Sequence, residues 1–257
     1  MKKLIDFSRY SSIKIGPQVE VEVIERIDPA YEELFLVGGA NNLLVSPDPP
    51  PLAMLGKSFD FIRIENDELI IGGATATGRV VSFCKRHDIA GFEFLSKLPG
   101  TIGGAVKMNA GVKEYEIKNI LKWIRTHEGI IPASKLKLQY RTTDIKHIIY
   151  EAGFKLERGY SEQLRQELLK LRTNQPKEPS AGSVFKNPPG DYAGRLIEAV
   201  GLKGKRVGNM AWSDVHANFL VNLGGGTYQE AMELINLAKT KVYEEFGVKL
   251  QEEIIIL

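Results

Sequence analysis

Cysteine is almost missing from this 257-residue chain: Cys84 stands alone, so no internal disulfide can form, and a reducing cytoplasm is the expected setting. No apolar run approaches the ~18 residues of a membrane span. The start, Met-Lys-Lys-Leu-Ile-Asp-Phe-Ser-Arg-Tyr, meets Asp6 and Arg9 where a signal peptide would stay apolar. Charge of one sign is lacking too: 34 Lys and Arg against 32 Asp and Glu leave a net +2. That is too little to point to nucleic acid, yet no obstacle to an anionic small molecule. The four histidines (His87, His127, His147, His216) lie far apart, with no His-Glu-x-x-His and no paired cysteines, so no metal ligands are expected from spacing. Neither the Gly-x-Ser-x-Gly elbow of α/β-hydrolases nor the Gly-x-Gly-x-x-Gly of Rossmann dinucleotide sites occurs. Gly73-Ala-Thr-Ala-Thr-Gly78-Arg79-Val80 imitates a P-loop but puts Arg79 at the lysine and Val80 at the Mg²⁺-binding hydroxyl, which argues against a nucleotide triphosphatase.

What is present is an ordinary globular composition, 43% hydrophobic and 26% charged, long enough for one large or two to three small domains. Strict alternation over 19–23 predicts a half-buried strand, and the apolar run 34–37 predicts another. Gly38, Gly39, Ala40, Asn41, Asn42 and Leu43 follow at once. Glycines and paired asparagines there suit either a phosphate cradle or a plain β-turn. Prolines 47, 49, 50 and 51 make 46–51 a stiff loop and a candidate boundary. Strands are expected near 61–64 and 69–71, then a short helix burying Val80, Val81 and Cys84, with the thiol as a small core group. Residues 98–111 hold Gly100, Gly103, Gly104 and Gly111, too few periodic apolar residues for an amphipathic helix, and too many breaks for a strand. Such a stretch is either an anion-binding nest or a surface loop.

Further on, 120–125 and 148–156 read as strands. Residues 161–172 read as a helix with Leu164, Leu168 and Leu171 on one face. Asp191 is a candidate cap for a helix through Arg195, Leu196 and Ile197, closed by Gly201. A strand is expected over 217–222. Thr227 and Glu230 form a capping box before a helix that buries Ala231, Leu234, Ile235, Ala238 and Val242 and stops at Gly247. A final strand covers 254–257. Strands and helices in mixed succession, without regular βαβ alternation, predict an α+β fold.

Taken in order, several segments resemble the UDP-N-acetylenolpyruvoylglucosamine reductase family of flavoenzymes over nearly the whole chain. They are Ser12-Ile-Lys-Ile-Gly16 (similar to the family's opening strand), Val37-Gly-Gly-Ala-Asn-Asn-Leu-Leu-Val45 and Leu98-Pro-Gly-Thr-Ile-Gly-Gly-Ala-Val-Lys-Met-Asn-Ala-Gly111. Tyr140-Arg141, Gly182-Ser-Val-Phe-Lys-Asn-Pro188, Ala193-Gly-Arg-Leu-Ile-Glu198, His216-Ala-Asn-Phe219 and Glu252-Glu253-Ile254 continue the series. The resemblance implies an FAD-binding fold of the vanillyl-alcohol-oxidase (PCMH) type in two subdomains over 1–157, divided near 46–55. It implies a smaller α+β substrate domain over 158–257, whose last strand (about 248–257) returns to the FAD part. It also implies non-covalent FAD, NADPH as co-substrate, and UDP-N-acetylglucosamine enolpyruvate as acceptor, reduced to UDP-N-acetylmuramate for peptidoglycan synthesis.

On this resemblance Gly38, Gly39, Ala40, Asn41, Asn42, Leu43, Pro99, Gly100, Thr101, Gly103, Gly104, Ala105, Asn109 and Gly111 bind the flavin. Ser183 delivers the proton to C2 of the substrate, while Arg141 and Glu253 stabilise the charge that grows on its carboxylate. Glu252 competes with Glu253, which is chosen because it directly precedes the apolar strand. Tyr140, Lys186 and Asn187 fall near the substrate, and His216 is structural. The chain resembles the compact subtype, with no tyrosine-loop insertion between Leu156 and Ser183; Tyr160 is a candidate stand-in. A cytoplasmic monomer acting on small molecules is expected, without nucleic acid, membrane or metal. The alternatives are an alcohol or sugar oxidase of the same fold, which the lack of a covalent-attachment residue in either flavin loop opposes, and a nucleotide-sugar-binding module without redox chemistry.

Overall fold

The computed structural model describes residues 1–171 and 173–257. It resolves into two compact units: residues 1–3, 21–39 and 51–173 form one, and residues 4–20, 40–50 and 174–257 the other.

The first unit is built on an antiparallel sheet of five strands. Their order is Gly129–Pro132, Leu121–Thr126, Glu151–Lys155, Glu68–Gly72 and Ile62–Glu65. One face is dry, because Leu69, Ile71, Ile124, Ala152 and Phe154 lie under the helix Thr77–Arg86 and the segment 92–106. Phe92 meets Phe154 edge-on with ring centroids 5.4 Å apart. Beside this sheet, residues 21–24, Phe35–Leu36 and Leu52–Leu55 run parallel, Leu52 standing level with both Val21 and Phe35.

In the second unit four antiparallel strands follow the order Ser180–Ser183, Phe219–Asn222, Met210–Trp212 and Arg206–Val207. The helix Tyr228–Phe246 covers them. Its Ala231, Leu234, Ile235, Ala238 and Val242, spaced at three and four residues, are all fully buried, as the periodicity predicts. The predicted capping box is present: Glu230 N–H donates to Thr227 Oγ1 at 3.2 Å and Thr227 N–H to Glu230 Oε2 at 2.9 Å. Gly247, at φ +67°, ends the helix. The last strand, Ile255–Ile256, pairs in parallel with Leu43–Leu44.

Several local expectations fail for identifiable reasons. Ser12 to Gly16 is not a strand: Lys14 takes φ +60° and its N–H closes a turn on Ser11 O at 3.2 Å. The helix expected over 161–172 runs over Glu162–Lys170. Leu168 is buried but Leu171 is exposed, and Arg172 lies outside the described residues. Asp191 does not cap the helix Ala193–Ala199; Asn187 Oδ1 accepts from Ala193 N–H at 3.1 Å instead. Asp191 pairs with Arg195, whose guanidinium lowers its carboxyl pKa to about 2. Tyr160 packs on the first unit's core with its hydroxyl buried and without a hydrogen-bond partner among the described residues, which does not suit a residue closing over substrate.

Cys84 is completely buried, and burial, followed by the nearby Glu93 carboxylate, raises its thiol pKa to about 12. At pH 8 an aromatic disulfide reagent should therefore label the native protein at least ~100-fold more slowly than the unfolded chain, whose thiol ionises near ~8.5. Equal rates would contradict a buried thiol.

Candidate active site

In the first unit the two glycine-rich loops meet. A Cβ on Gly38 would stand 2.8 Å from Thr101 Oγ1, so the approach requires glycine. Residues 98–111 are not all loop, contrary to the sequence expectation: Ile102–Lys107 is a helix of six residues. So short a helix needs only one set of i, i+3, i+4 contacts, and the buried Ile102, Ala105 and Val106 supply it. Thr101 is its N-cap, its hydroxyl accepting from Gly104 N–H at 3.4 Å. Ile102 and Gly103 N–H groups donate to Thr75 O and Gly73 O, both at 2.9 Å, and Thr77 Oγ1 donates to Leu98 O at 2.6 Å. Gly104 is exposed, and the nearest atom to a Cβ built there is 3.5 Å away. Pro99 is exposed and Gly100, at φ +136°, half-buried. The first N–H groups of this helix are thus already engaged within the protein, and what the loop offers at Pro99, Gly100 and Gly104 is a surface with little side chain, which lets a ligand come close to the main chain.

Asn109 is wholly buried and ties this loop to the next candidates. Its Nδ2 donates to Gln139 O at 3.0 Å and to Glu116 Oε2 at 3.3 Å, while Oδ1 accepts from Lys118 N–H at 2.9 Å. Gln139 opens the tip of a hairpin, Leu138–Gln139 against Thr142–Thr143, whose two tip residues are Tyr140 and Arg141. Arg141 takes φ +54°, uncommon for a side chain of its size. Its guanidinium donates to Gly111 O at 2.7 Å and lies 5.0 Å from the exposed Tyr140 ring. Asn109, Gly111, Tyr140 and Arg141 are therefore one cluster.

The second unit gathers the remaining candidates around its C-terminal segment. Ser183 ends its strand, half-buried, after Gly182 at φ +83°. Val184 O accepts from Glu253 N–H at 2.7 Å, and Lys186 N–H donates to Gln251 O at 2.9 Å. On the other side Asn42 Nδ2 donates to Glu253 O at 2.9 Å, and Ile255 N–H to Asn42 O at 2.9 Å. Ser12 Oγ donates to Asn41 Oδ1, and Ser12 N–H to Ala40 O at 3.1 Å. Ala40 adopts φ +48°, and Leu43 is buried. Glu252 is engaged elsewhere, its Oε1 2.7 Å from Lys239 Nζ.

Some contributors escaped sequence reasoning. Asn218, almost fully buried, donates to Phe185 O at 2.7 Å and accepts from Phe185 N–H at 3.0 Å, so it clamps the segment behind Ser183. Sequence reasoning placed it within the segment His216-Ala-Asn-Phe219 and the strand expected over 217–222, but without a role. His216 supports it: Nδ1 accepts from Asn218 N–H at 3.2 Å, and burial lowers the imidazole pKa. His127 and His147, twenty positions apart, meet around Glu32; nothing in their spacing announces it.

The fold is that of a sugar-nucleotide reductase: the structure of UDP-N-acetylenolpyruvylglucosamine reductase from Thermus caldophilus matches at a TM-score of 0.87 and 30% identity. That match covers 100% of this chain and 98% of that one. A family model described as UDP-N-acetylenolpyruvoylglucosamine reductase, C-terminal domain, matches residues 175–257. The reductase of Helicobacter pylori strain J99 is 44% identical across 100% of this chain and 99% of its own length. That of Campylobacter jejuni strain RM1221 is 46% identical across 99% and 100%. The chain belongs to the UDP-N-acetylenolpyruvoylglucosamine reductase family.

Replacing Asn109 by alanine would break one buried and two part-buried hydrogen bonds, each worth about 0.5–1.5 kcal/mol. Urea denaturation of Asn109→Ala should show a loss of about 2–4 kcal/mol. A change below about 0.5 kcal/mol would contradict the role of this side chain as the tie.

Proposed function

We propose that this chain reduces UDP-N-acetylglucosamine enolpyruvate to UDP-N-acetylmuramate in peptidoglycan precursor synthesis, as an oxidoreductase acting on the enolpyruvyl CH–CH group. The observation that carries the proposal is the end-to-end kinship with reductases of that name at 44–46% identity. FAD, when bound, supplies the hydride that reduces C3, having taken it from NADPH. The residues present fit that cofactor: Gly38 lets the two glycine-rich loops approach each other, and Gly104, exposed and without a side chain, lets a ligand come close to the main chain. Gly39, Ala40, Asn41, Asn42, Leu43, Pro99, Gly100, Gly103, Ala105, Asn109 and Gly111 complete the candidate flavin loops, with no covalent attachment. The fold in this reading is the two-subdomain vanillyl-alcohol-oxidase type, with flavin held by 1–157 and substrate by 158–257.

The chain's own residues then handle charge and proton. Arg141 offers a planar fork of donors to the substrate carboxylate, where negative charge grows as hydride arrives at C3. Glu253 is more useful there protonated, as a donor. Ser183 gives its hydroxyl proton to C2. Tyr140, Lys186 and Asn187 contact the sugar nucleotide; because Asn187 Oδ1 caps a helix, its Nδ2 is the atom assigned to substrate oxygens. The enzyme works as a cytoplasmic monomer on small molecules. No helix among the described residues is long and apolar enough to cross a membrane.

Purified protein should be yellow with a flavin absorption band, and should oxidise NADPH only when the enolpyruvyl sugar nucleotide is added. Oxidation of an alcohol or sugar with oxygen would contradict the assignment. Ser183→Ala should leave flavin reduction by NADPH nearly intact and slow flavin reoxidation by substrate about 10²–10⁴-fold, the usual worth of a positioned acid. Equal loss in both halves would remove Ser183 from the proton-donor role.

A further inference from the structure

Besides the candidate active-site residues, the first unit holds a second cluster. Glu32 comes from the short helical turn Pro29–Glu33, His127 from the turn after the strand Leu121–Thr126, and His147 from the segment before the strand Glu151–Lys155. His127 Nδ1 lies 3.0 Å from Glu32 Oε1, and His147 Nδ1 lies 3.4 Å from Glu32 Oε2. The two imidazoles stand edge to face, with centroids 4.8 Å apart and planes at 76°. All three side chains are part-buried, and their ligand atoms fall within 4.8 Å of one another.

We propose that Glu32, His127 and His147 bind a divalent transition-metal ion of the imidazole-preferring kind, with Zn²⁺ as the representative. Metal–ligand distances of ~2.0–2.1 Å in a tetrahedron put neighbouring ligand atoms about 3.3 Å apart. The two nitrogen–oxygen separations, 3.0 and 3.4 Å, are close to that edge but run to different oxygens of Glu32; with one ligand atom from each residue the three lie within 4.8 Å, so an ion would draw the triad closer together. Glu128 Oε2 lies 3.4 Å from His147 Nε2, on the far side of the ring. With the ring proton on Nε2, facing this carboxylate, the Nδ1 lone pair would be available to an ion, the arrangement that orients metal-binding histidines. Two nitrogens and one carboxylate suit zinc, copper or nickel and do not suit Mg²⁺, which prefers an all-oxygen shell. Charged groups at the cluster include Glu32, Glu128 and the ammonium of Lys107, which is within electrostatic reach of Glu32. Lys107 donates to Ile145 O and, at 3.3 Å, to Lys146 O. Two carboxylates against one ammonium leave the place attractive to a cation. An ion there would join the Pro29–Glu33 turn to both histidine-bearing segments; at present Ile148 N–H, donating to both Glu32 oxygens at 3.2 and 3.3 Å, helps to hold that turn.

The test uses the full-length protein stripped of metal by a chelator and titrated with Zn²⁺ in a competition assay. One ion per chain should bind, at least tenfold more tightly than to a His127→Gln/His147→Gln variant, and His87→Gln should bind as the parent does. X-ray absorption on the zinc-loaded parent should show scattering from two imidazoles, a readout that does not depend on the variants folding. No tight ion in the parent, equal affinity in the double variant, or a zinc shell without two imidazoles would each overturn the proposal.

Discussion

The second unit depends on how the last seven residues are held. Gln251 O accepts from Lys186 N–H, Glu253 N–H donates to Val184 O, and Asn42 grips the Glu253 carbonyl from the other side. Leu257 N–H then donates to Leu44 O at 3.0 Å, and Ser46 N–H to Leu257 O at 2.9 Å. Three stretches far apart in the sequence, 42–46, 184–186 and 251–257, are thus stitched together mainly by main-chain bonds. Such bonds are geometrically strict and, once buried, costly to leave unmade. Asn218 adds side-chain bonds to both the N–H and the C=O of Phe185, fixing the stretch that follows Ser183. Ser183 and Glu253 are near neighbours because the backbone leaves them little choice.

The first unit solves a similar problem with a side chain. Asn109 satisfies three backbone or carboxylate groups at once and so couples the end of the glycine loop to the hairpin that carries Arg141. Arg141 is held at positive φ, and its guanidinium reaches back to Gly111 O. A residue kept in a sparsely populated conformation persists only where its surroundings determine it. Here the hairpin register and the Gly111 contact do so.

Much of this was legible beforehand wherever a pattern is local. The buried stripe of the helix Tyr228–Phe246, its capping box and its glycine stop follow from periodicity and cap chemistry, and the structure shows all three. Val80, Val81 and Cys84 were equally plain. Illegible were features set by distant partners. Asp191 is a good capping residue by type, but Asn187 reaches the helix start and Arg195 takes the aspartate. The helix inside 98–111 hid among glycines because its three apolar contacts are too few to form a visible period. His127 and His147 come together only through the fold, since no local spacing encodes contacts between a turn and a pre-strand segment.

Of the two carboxylates on the C-terminal segment, Glu252 is paired with Lys239, and we propose that Glu253, whose N–H is bonded to Val184 O, is the one that acts in the chemistry next to Ser183. The most direct measurement is flavin reoxidation by the enolpyruvyl substrate, in a stopped-flow instrument, for Glu253→Gln and Glu252→Gln side by side. The account predicts that Glu253→Gln slows that step by about 10²–10³-fold, the usual worth of one transition-state donor, while Glu252→Gln stays within a few-fold of the parent. Equal effects, or the larger loss at Glu252, would contradict it.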